Sequence, residues 1–575
     1  MIFLPVERLS RWNMAKLFSI GLDQIRISME YAAIAYEEGA MHEVNKVKQS
    51  FIHGTIILLV AGIFNRILGF VPRMTLPRVI GAEGIGLYQL GYPLLNILLT
   101  LITGGLPLAI AKLVSEAESA GDERAVRRIL RVSLLFVIAA GLALSALCLW
   151  MAPWAGTRLM TDARVVPVIL AMSPIILVVG ISSVFRGYFQ GRQNMIPTAS
   201  SQMIETIVRI GAMLGLAWFL LPYGIEYAAA GAMLGVLTGE ISGLAALLLQ
   251  YRRYKADAGP EATPPTGERR QPPSREDRAS FRKLMRVSIP VTASRLVGSG
   301  SYFLESIFTV QSLAAAGIAT AVATAQYGAL QGMIIPILLL PGVLTYSLSV
   351  SLVPSLSEAA ARGDTAMIHK RLHQSLRLAL VTGAPFAVMM YVLADPLTWY
   401  LYADDSVGHM LRLMAPVAIF LYFQGPLQAA LQALDHPGQA LLNSFLGACI
   451  KLALITLLAA WLKLGIIGVI LAINVNIVLV TLLHYRSVVR KIRFRMRWGD
   501  FLSVALCSAV MTGAMLIIHS KLWTAPGLVK LIAAIVASLV IYLICVYLGG
   551  IIDKHDLARI PWIGPRLARI RKSLR

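Results

Sequence analysis

Residues 115–122 read Ser-Glu-Ala-Glu-Ser-Ala-Gly-Asp and residues 357–364 read Ser-Glu-Ala-Ala-Ala-Arg-Gly-Asp, identical at five of eight positions and 242 residues apart. Each stretch follows an apolar run and leads into a basic amphipathic one. The same offset pairs Leu130 with Leu372, Ser133 with Ser375, Gln190 with Gln432 and Arg209 with Lys451. Apolar helices resemble one another by chance, but chance seldom sets a polar loop, a glutamine and an intramembrane cation in one register. The chain therefore reads as two copies of one unit.

The composition says what surrounds those copies. Of 575 residues, 57% are hydrophobic and only 14% charged, whereas a soluble domain is nearer half apolar and a quarter charged. The apolar excess faces lipid. A net charge of +22 raises the question of nucleic acid, but the basic residues sit in short segments between apolar runs, as loops beside an anionic inner leaflet do; no nucleic-acid role follows. Cys148, Cys449, Cys507 and Cys545 all lie inside apolar runs with no metal or redox spacing, and read as small apolar fillers.

A helix crosses the hydrocarbon core with roughly 20 apolar residues. Spans are expected near 51–72, 85–111, 131–152, 165–187, 196–220, 226–250 and 284–310. A second set is expected near 322–352, 375–400, 408–432, 438–461, 464–485, 499–519 and 526–549. Basic loops at 112–131, 252–286, 355–377 and 486–497 alternate with loops at 221–225, 311–321 and 401–407 that carry no Lys or Arg. That alternation predicts both termini in the cytoplasm and an even number of spans in a cell-membrane protein. Arg73 and Arg78 break the pattern, since they fall in the first outer loop; a role other than topology is expected for them.

The fold class expected is an all-α polytopic membrane protein of about fourteen transmembrane helices, two parallel-repeat six-helix lobes plus a C-terminal helix pair. A six-helix unit returns the chain to the side where it began, so the copies share one orientation about an axis along the membrane normal. The organisation expected is a cytoplasmic extension over 1–45, an N-terminal lobe over 46–251 and a cytoplasmic linker over 252–280. A C-terminal lobe over 281–486, the last helix pair over 487–550 and a basic cytoplasmic tail over 551–575 follow. The linker is marked by Pro, Gly and charge without apolar periodicity. The first forty residues carry Glu7, Asp23, Glu30, Glu37 and Glu38 and do not read as a secretory signal. A start at Met41, ahead of Lys46, Lys48 and an apolar run, is the alternative to such an extension.

A charge at the bilayer centre costs about 2.5–3.5 kcal/mol on insertion scales, so the retained ones are the candidate site. They are Arg66, Glu205, Arg209, Glu240, Arg295, Glu305 and Lys451. Glu205 and Arg209 stand one turn apart and can pair on one helix face. Glu240, toward the cytoplasmic third of its span, is expected to snorkel. Arg66 and Arg295 occupy the first helix of each block without an acid one turn away, and Gly69 and Pro72 can bend the first helix to aim Arg66 and Arg73 inward. Arginine grips phosphate oxygens bidentately and stays charged. An interior holding Arg66, Arg73 and Arg295, with Arg209 and Lys451 added, suits a diphosphate-bearing substrate. Gln424, Gln428 and Gln432 form a polar stripe at i, i+4, i+8, either for interhelical hydrogen bonds or for sugar contact. No Walker A sequence, no metal-ligand cluster and no outer loop long enough for a catalytic domain occur, so neither an enzyme nor a resident cofactor or metal is expected. His484 reads as a helix-packing residue.

Several stretches resemble the stage V sporulation protein B family. They are Asn65 to Arg73 followed by Arg78 to Tyr88, then Gly104 to Lys112, Gln311 to Leu313, Tyr422 to Leu434 and Leu479 to His484. The resemblance runs from about residue 45 to 550. That family belongs to the polysaccharide-exporter branch of the multidrug/oligosaccharidyl-lipid/polysaccharide superfamily and is related to lipid II flippases. The resemblance implies translocation of an undecaprenyl-diphosphate-linked peptidoglycan precursor, for cell wall or spore cortex, by alternating access. It maps an arginine-rich cavity onto Arg66 and Arg73 and, more loosely, onto Arg295. The Arg66–Arg73 spacing is one residue longer than in those flippases, and the linker and first forty residues depart from the family pattern. The competing readings are a cation-coupled multidrug exporter of the same fold, which would want cavity carboxylates that the first helix lacks, and a non-transporting scaffold for cell-wall synthesis enzymes.

Overall fold

A computed structural model describes residues 68–257, 275–521 and 527–550, with Gly62, Phe64 and Asn65 ahead of them. Among the described residues the chain is helical and holds no strand. The first lobe comprises α1 (Phe70–Thr103), α2 (Leu106–Ser119), α3 (Glu123–Trp154), α4 (Val166–Gly191), α5 (Ile196–Leu220) and α6 (Ile225–Asp257). The second comprises α7 (Arg275–Ala315), α8 (Thr320–Gly328), a π-helical stretch Ala329–Ile334, α9 (Ile335–Leu339), α10 (Gly342–Ala361), α11 (Thr365–Val392), α12 (Ala394–Tyr402), α13 (Gly408–Met414), α14 (Ala418–Ala433), α15 (Pro437–Ile455) and α16 (Ile466–Ile492). The last pair is α17 (Trp498–Lys521) and α18 (Gly527–Leu548).

Twelve helices among the described residues are long and apolar enough to cross a bilayer, against the fourteen spans expected. The span near 51–72 falls almost entirely outside the described residues. The span at 284–310 is the middle of the 41-residue α7, whose serines, glycines and charges dilute its apolar content. The outer loop expected around Arg73 and Arg78 is instead helical, with a kink in α1 where Gly81 adopts φ 68° and ψ 178°. Only glycine takes that conformation cheaply. The linker expected over 252–280 is also shorter at both ends, since α6 runs to Asp257 and α7 starts at Arg275.

The repeat is written into the backbone. Asp122 and Asp364, mates at the 242 offset, each cap a helix, accepting from Ala125 N and Met367 N at 2.9 Å. Gly121 and Gly363 before them have φ 70° and 68°, and the next mates, Gln193 and Asp435, have φ 57° and 60°. Left-handed residues at matching helix ends show that the offset describes conformation as well as letters. Exposed Trp154, Trp218, Tyr223 and Trp461 gather at the end opposite the basic loops, and Trp498 stands at the basic end. Aromatic residues settle at both membrane interfaces in this way.

Packing within the first lobe is closest between α5 and α6. Gly231, Gly235, Gly239 and Gly243 recur every fourth residue along α6 and seat Leu216, Met213, Arg209 and Glu205 of α5. A Cβ on Gly239 would stand 2.5 Å from that of Arg209, and one on Gly243 3.0 Å from that of Glu205. Small residues let helix backbones approach in lipid, where packing replaces the hydrophobic drive. The final pair joins the core of the second lobe: Met511, Met515 and Tyr542 are buried there, and the Tyr542 hydroxyl donates to the Val381 carbonyl at 2.9 Å.

Candidate functional site

The lobes meet at the end opposite the basic loops through residues that are one another's repeat mates. Gly86 packs on Thr324 and Gly328 on Ala82; a Cβ on Gly328 would stand 2.5 Å from the Gly86 Cα. Adding 242 converts 86 to 328 and 82 to 324, so the contact is reciprocal, as at a two-fold interface. One turn deeper, the Gln89 amide donates to the carbonyl of its own mate, Gln331, at 3.5 Å. The α1–α8 crossing therefore lies on the axis that relates the lobes.

Polar groups tie that end together. Buried Asp162 accepts from Thr324 Oγ1 at 2.8 Å across the lobes and is gripped by Arg164, which also reaches Glu83 at 2.6 Å. Burial pushes the Asp162 carboxyl up, but the hydrogen bonds from Arg164 and Thr324 outweigh it and leave the group below its usual value. Arg78 donates to the carbonyls of Tyr400 and Leu401, the latter at 2.7 Å, at the C-terminal end of α12, where unsatisfied carbonyls and the helix dipole attract a cation. Toward the basic end, Gly104 and Gly105 lie against Thr292 and Ser288 of α7, and Arg128 pairs with Glu276.

Between these ends lie two groups of membrane-interior charges. In the first lobe, Glu205 accepts from Arg186 at 2.6 Å and from Arg209 at 3.1 Å. The one-turn Glu205–Arg209 pair is thus present, but a second arginine from α4 shares it. Glu240 lies beside Glu205 and is 9% exposed; burial among these groups, in place of the expected snorkelling, follows from the glycines that draw α6 onto α5. In the second lobe, buried Lys451 pairs with Glu305 of α7, whose other oxygen accepts from the Gln331 amide at 3.0 Å.

Arg73 and Arg295 are exposed and, among the described residues, make no ion pair. Arg73 lies within electrostatic reach of the phenols of Tyr88, Tyr302 and Tyr402, and Tyr88 also feels Arg209. The structure thus gathers Arg73, Tyr88 and Arg209 into one neighbourhood, beside the Glu305–Gln331–Gln89 chain. Arg66 lies outside the described residues. Gln424 donates to the Ile477 carbonyl at 3.1 Å, an interhelical bond, whereas Gln428 is exposed with no partner among the described residues. His484 is buried against Asn443 at 3.1 Å, as a packing residue is.

Sequence reasoning missed Arg186, Gln89, Gln331 and the Asp162–Arg164 grip. The offset of 242 carries the signal for the two glutamines. Arg186 sits near the basic end of its helix, where a cation looks ordinary.

Comparison with known proteins agrees with this architecture. The chain matches the polysaccharide biosynthesis protein family over residues 51–360 and the MatE family over 301–457. It is 40% identical to the stage V sporulation protein B of Bacillus subtilis over 91% of this chain and all of that protein. It is 26% identical to the lipid II flippase MurJ of the same organism, over 71% of this chain and 77% of that protein. Among solved structures, lipid II flippase MurJ in an inward closed conformation aligns with a TM-score of 0.64 at 17% identity, covering 88% of this chain and all of that one; at that identity it speaks for the fold alone. With a relative this similar matched from end to end, and the all-helical two-lobe architecture in place, the chain belongs to the stage V sporulation protein B family of polysaccharide biosynthesis proteins.

Proposed function

We propose that the chain is a flippase that carries a lipid-diphosphate-linked oligosaccharide across the cytoplasmic membrane by alternating access, a peptidoglycan precursor of the lipid II kind being the substrate that fits best. The basic loops face the cytoplasm in this reading, and both termini lie there. The observation that carries it is the pair of exposed arginines, Arg73 and Arg295, on helices where the lobes face each other, without a carboxylate among the described residues to neutralise them. An unpaired guanidinium inside a membrane protein is expensive unless something anionic visits it, and a diphosphate offers bidentate acceptors. Arg66, on the same helix as Arg73, joins them in this proposal. Arg209 and Lys451, each held by a glutamate, contribute as members of a charge network, and Gln428 is available to a saccharide. The similarity to stage V sporulation protein B and to a lipid II flippase supports the substrate class.

Replacing Arg66, Arg73 or Arg295 by Ala is expected to abolish complementation of a flippase-deficient strain while the protein still reaches the membrane; normal growth with all three variants would remove the proposal. The MatE match over 301–457 keeps one competitor in view, a cation-coupled multidrug exporter. Reconstituted protein that exports cationic dyes, with no change in leaflet accessibility of the lipid-linked precursor, would decide for that competitor.

A further inference from the structure

The first-lobe charge cluster contains more carboxyl than it uses. Both oxygens of Glu205 are occupied, one by Arg186 and one by Arg209. Glu240 is 9% exposed, and its Oε2 is buried with no hydrogen-bond partner. The Nε of Arg186 is likewise buried and unpartnered, so the cluster is not saturated in this state. Glu240 stands beside Glu205, with Arg209 and Arg186 its other charged neighbours. Two bare carboxylates side by side away from water repel strongly, and a proton on one of them removes that repulsion. Gly239 and Gly243 clamp α6 to the α5 backbone at Arg209 and Glu205, so the two helices that carry these carboxyls are held together.

We propose that Glu240 and Glu205 share one exchangeable proton, a proton-binding site in the first lobe whose occupancy sets the charge that Arg209 presents to the lobe interface. The groups facing Glu240 are Glu205 and Arg209 from α5 and Arg186 from α4. From α1, the third helix against α6, the Tyr88 phenol faces Arg209. With the proton bound, two guanidiniums oppose one carboxylate and the cluster carries one positive charge. When the proton leaves to water, the cluster is neutral. An anion arriving at Arg209 therefore favours the protonated form, and by linkage the proton favours the anion. This last step rests on the flippase reading; the proton site itself does not.

The test uses full-length protein in liposomes. Infrared difference spectra recorded across a pH titration should show the carbonyl stretch of a protonated carboxylic acid, shifted by carboxyl-13C glutamate labelling and lost in Glu240→Gln. That amide is isosteric with the protonated acid and can donate to Glu205, so the variant should fold. The absence of a labelled protonated-glutamate band in the unmodified protein, which needs no variant, would overturn the site, as would its persistence in Glu240→Gln. The second arm adds a polyprenyl diphosphate in weak buffer with a pH-indicating dye. Uptake of about one proton per bound diphosphate, absent in Glu240→Gln, is expected. Equal uptake by both proteins would overturn the coupling. A diphosphate that does not bind at all would count against the flippase reading, while the infrared arm still decides the proton site.

Discussion

Arg78 is a cation on the wrong side for topology and the right side for closure. Its guanidinium satisfies the last carbonyls of α12, so Arg78→Ala leaves them to water and weakens the junction of the lobes at that end. At a partly exposed site this is worth about 1 kcal/mol, or about a fivefold shift in the population open there. The reaction rate of a water-soluble maleimide with a cysteine introduced at Gln89 should rise by that factor. Asp162 makes the second tie, and its behaviour with pH has a defined sign. A carboxyl held below its usual value adds stability that is fully present above about pH 4 and is lost as pH falls through the lowered folded value. Acid unfolding of the detergent-solubilised protein should therefore begin at higher pH in Asp162→Asn, and an unchanged midpoint would show that the Thr324 and Arg164 contacts are incidental.

Among the elements, the α5–α6 pair depends on its glycine stripe. Gly235→Leu forces the helices apart where Met213 sits, and overpacking of this kind costs about 1–3 kcal/mol; a clearly lowered melting temperature in detergent is expected. Gly211, on α5, has nothing within 4 Å of a would-be Cβ, so Gly211→Ala should leave stability unchanged or slightly raised. The helices themselves were legible in the sequence from their apolar lengths, whereas the glycines at every fourth position from 231 to 243 gained meaning only once α5 was seen to pack on them. The partners of Lys451 and Glu240 were not legible either. A one-turn pair such as Glu205–Arg209 is set by helix geometry alone, whereas Glu305 and Lys451 stand 146 residues apart and meet only once α7 and α15 pack. Similarly, Arg73 and Arg78 read as loop residues because they fall between the apolar runs 51–72 and 85–111. Their helix instead continues through Pro77 and only kinks at Gly81.

For the whole molecule, the alternating access proposed above would have to be felt at the reciprocal crossing of Gly86 and Gly328. In a background without native cysteines, an Asp162→Cys, Thr324→Cys double variant, at side chains that meet across the lobes at 2.8 Å, should form a disulfide on mild oxidation. It should lose transport while oxidised and recover it on reduction; undiminished transport in the oxidised form would mean that this end does not open. The same crossing has a historical consequence. Residues that touch their own repeat mates across an axis are the signature of an isologous dimer, so before the two units were fused into one gene, the half-length ancestor would have paired with itself through that one glycine. Its descendants inherit the seam: fragments ending and beginning within 258–274, produced together in one cell, should find each other again and restore growth without a covalent join.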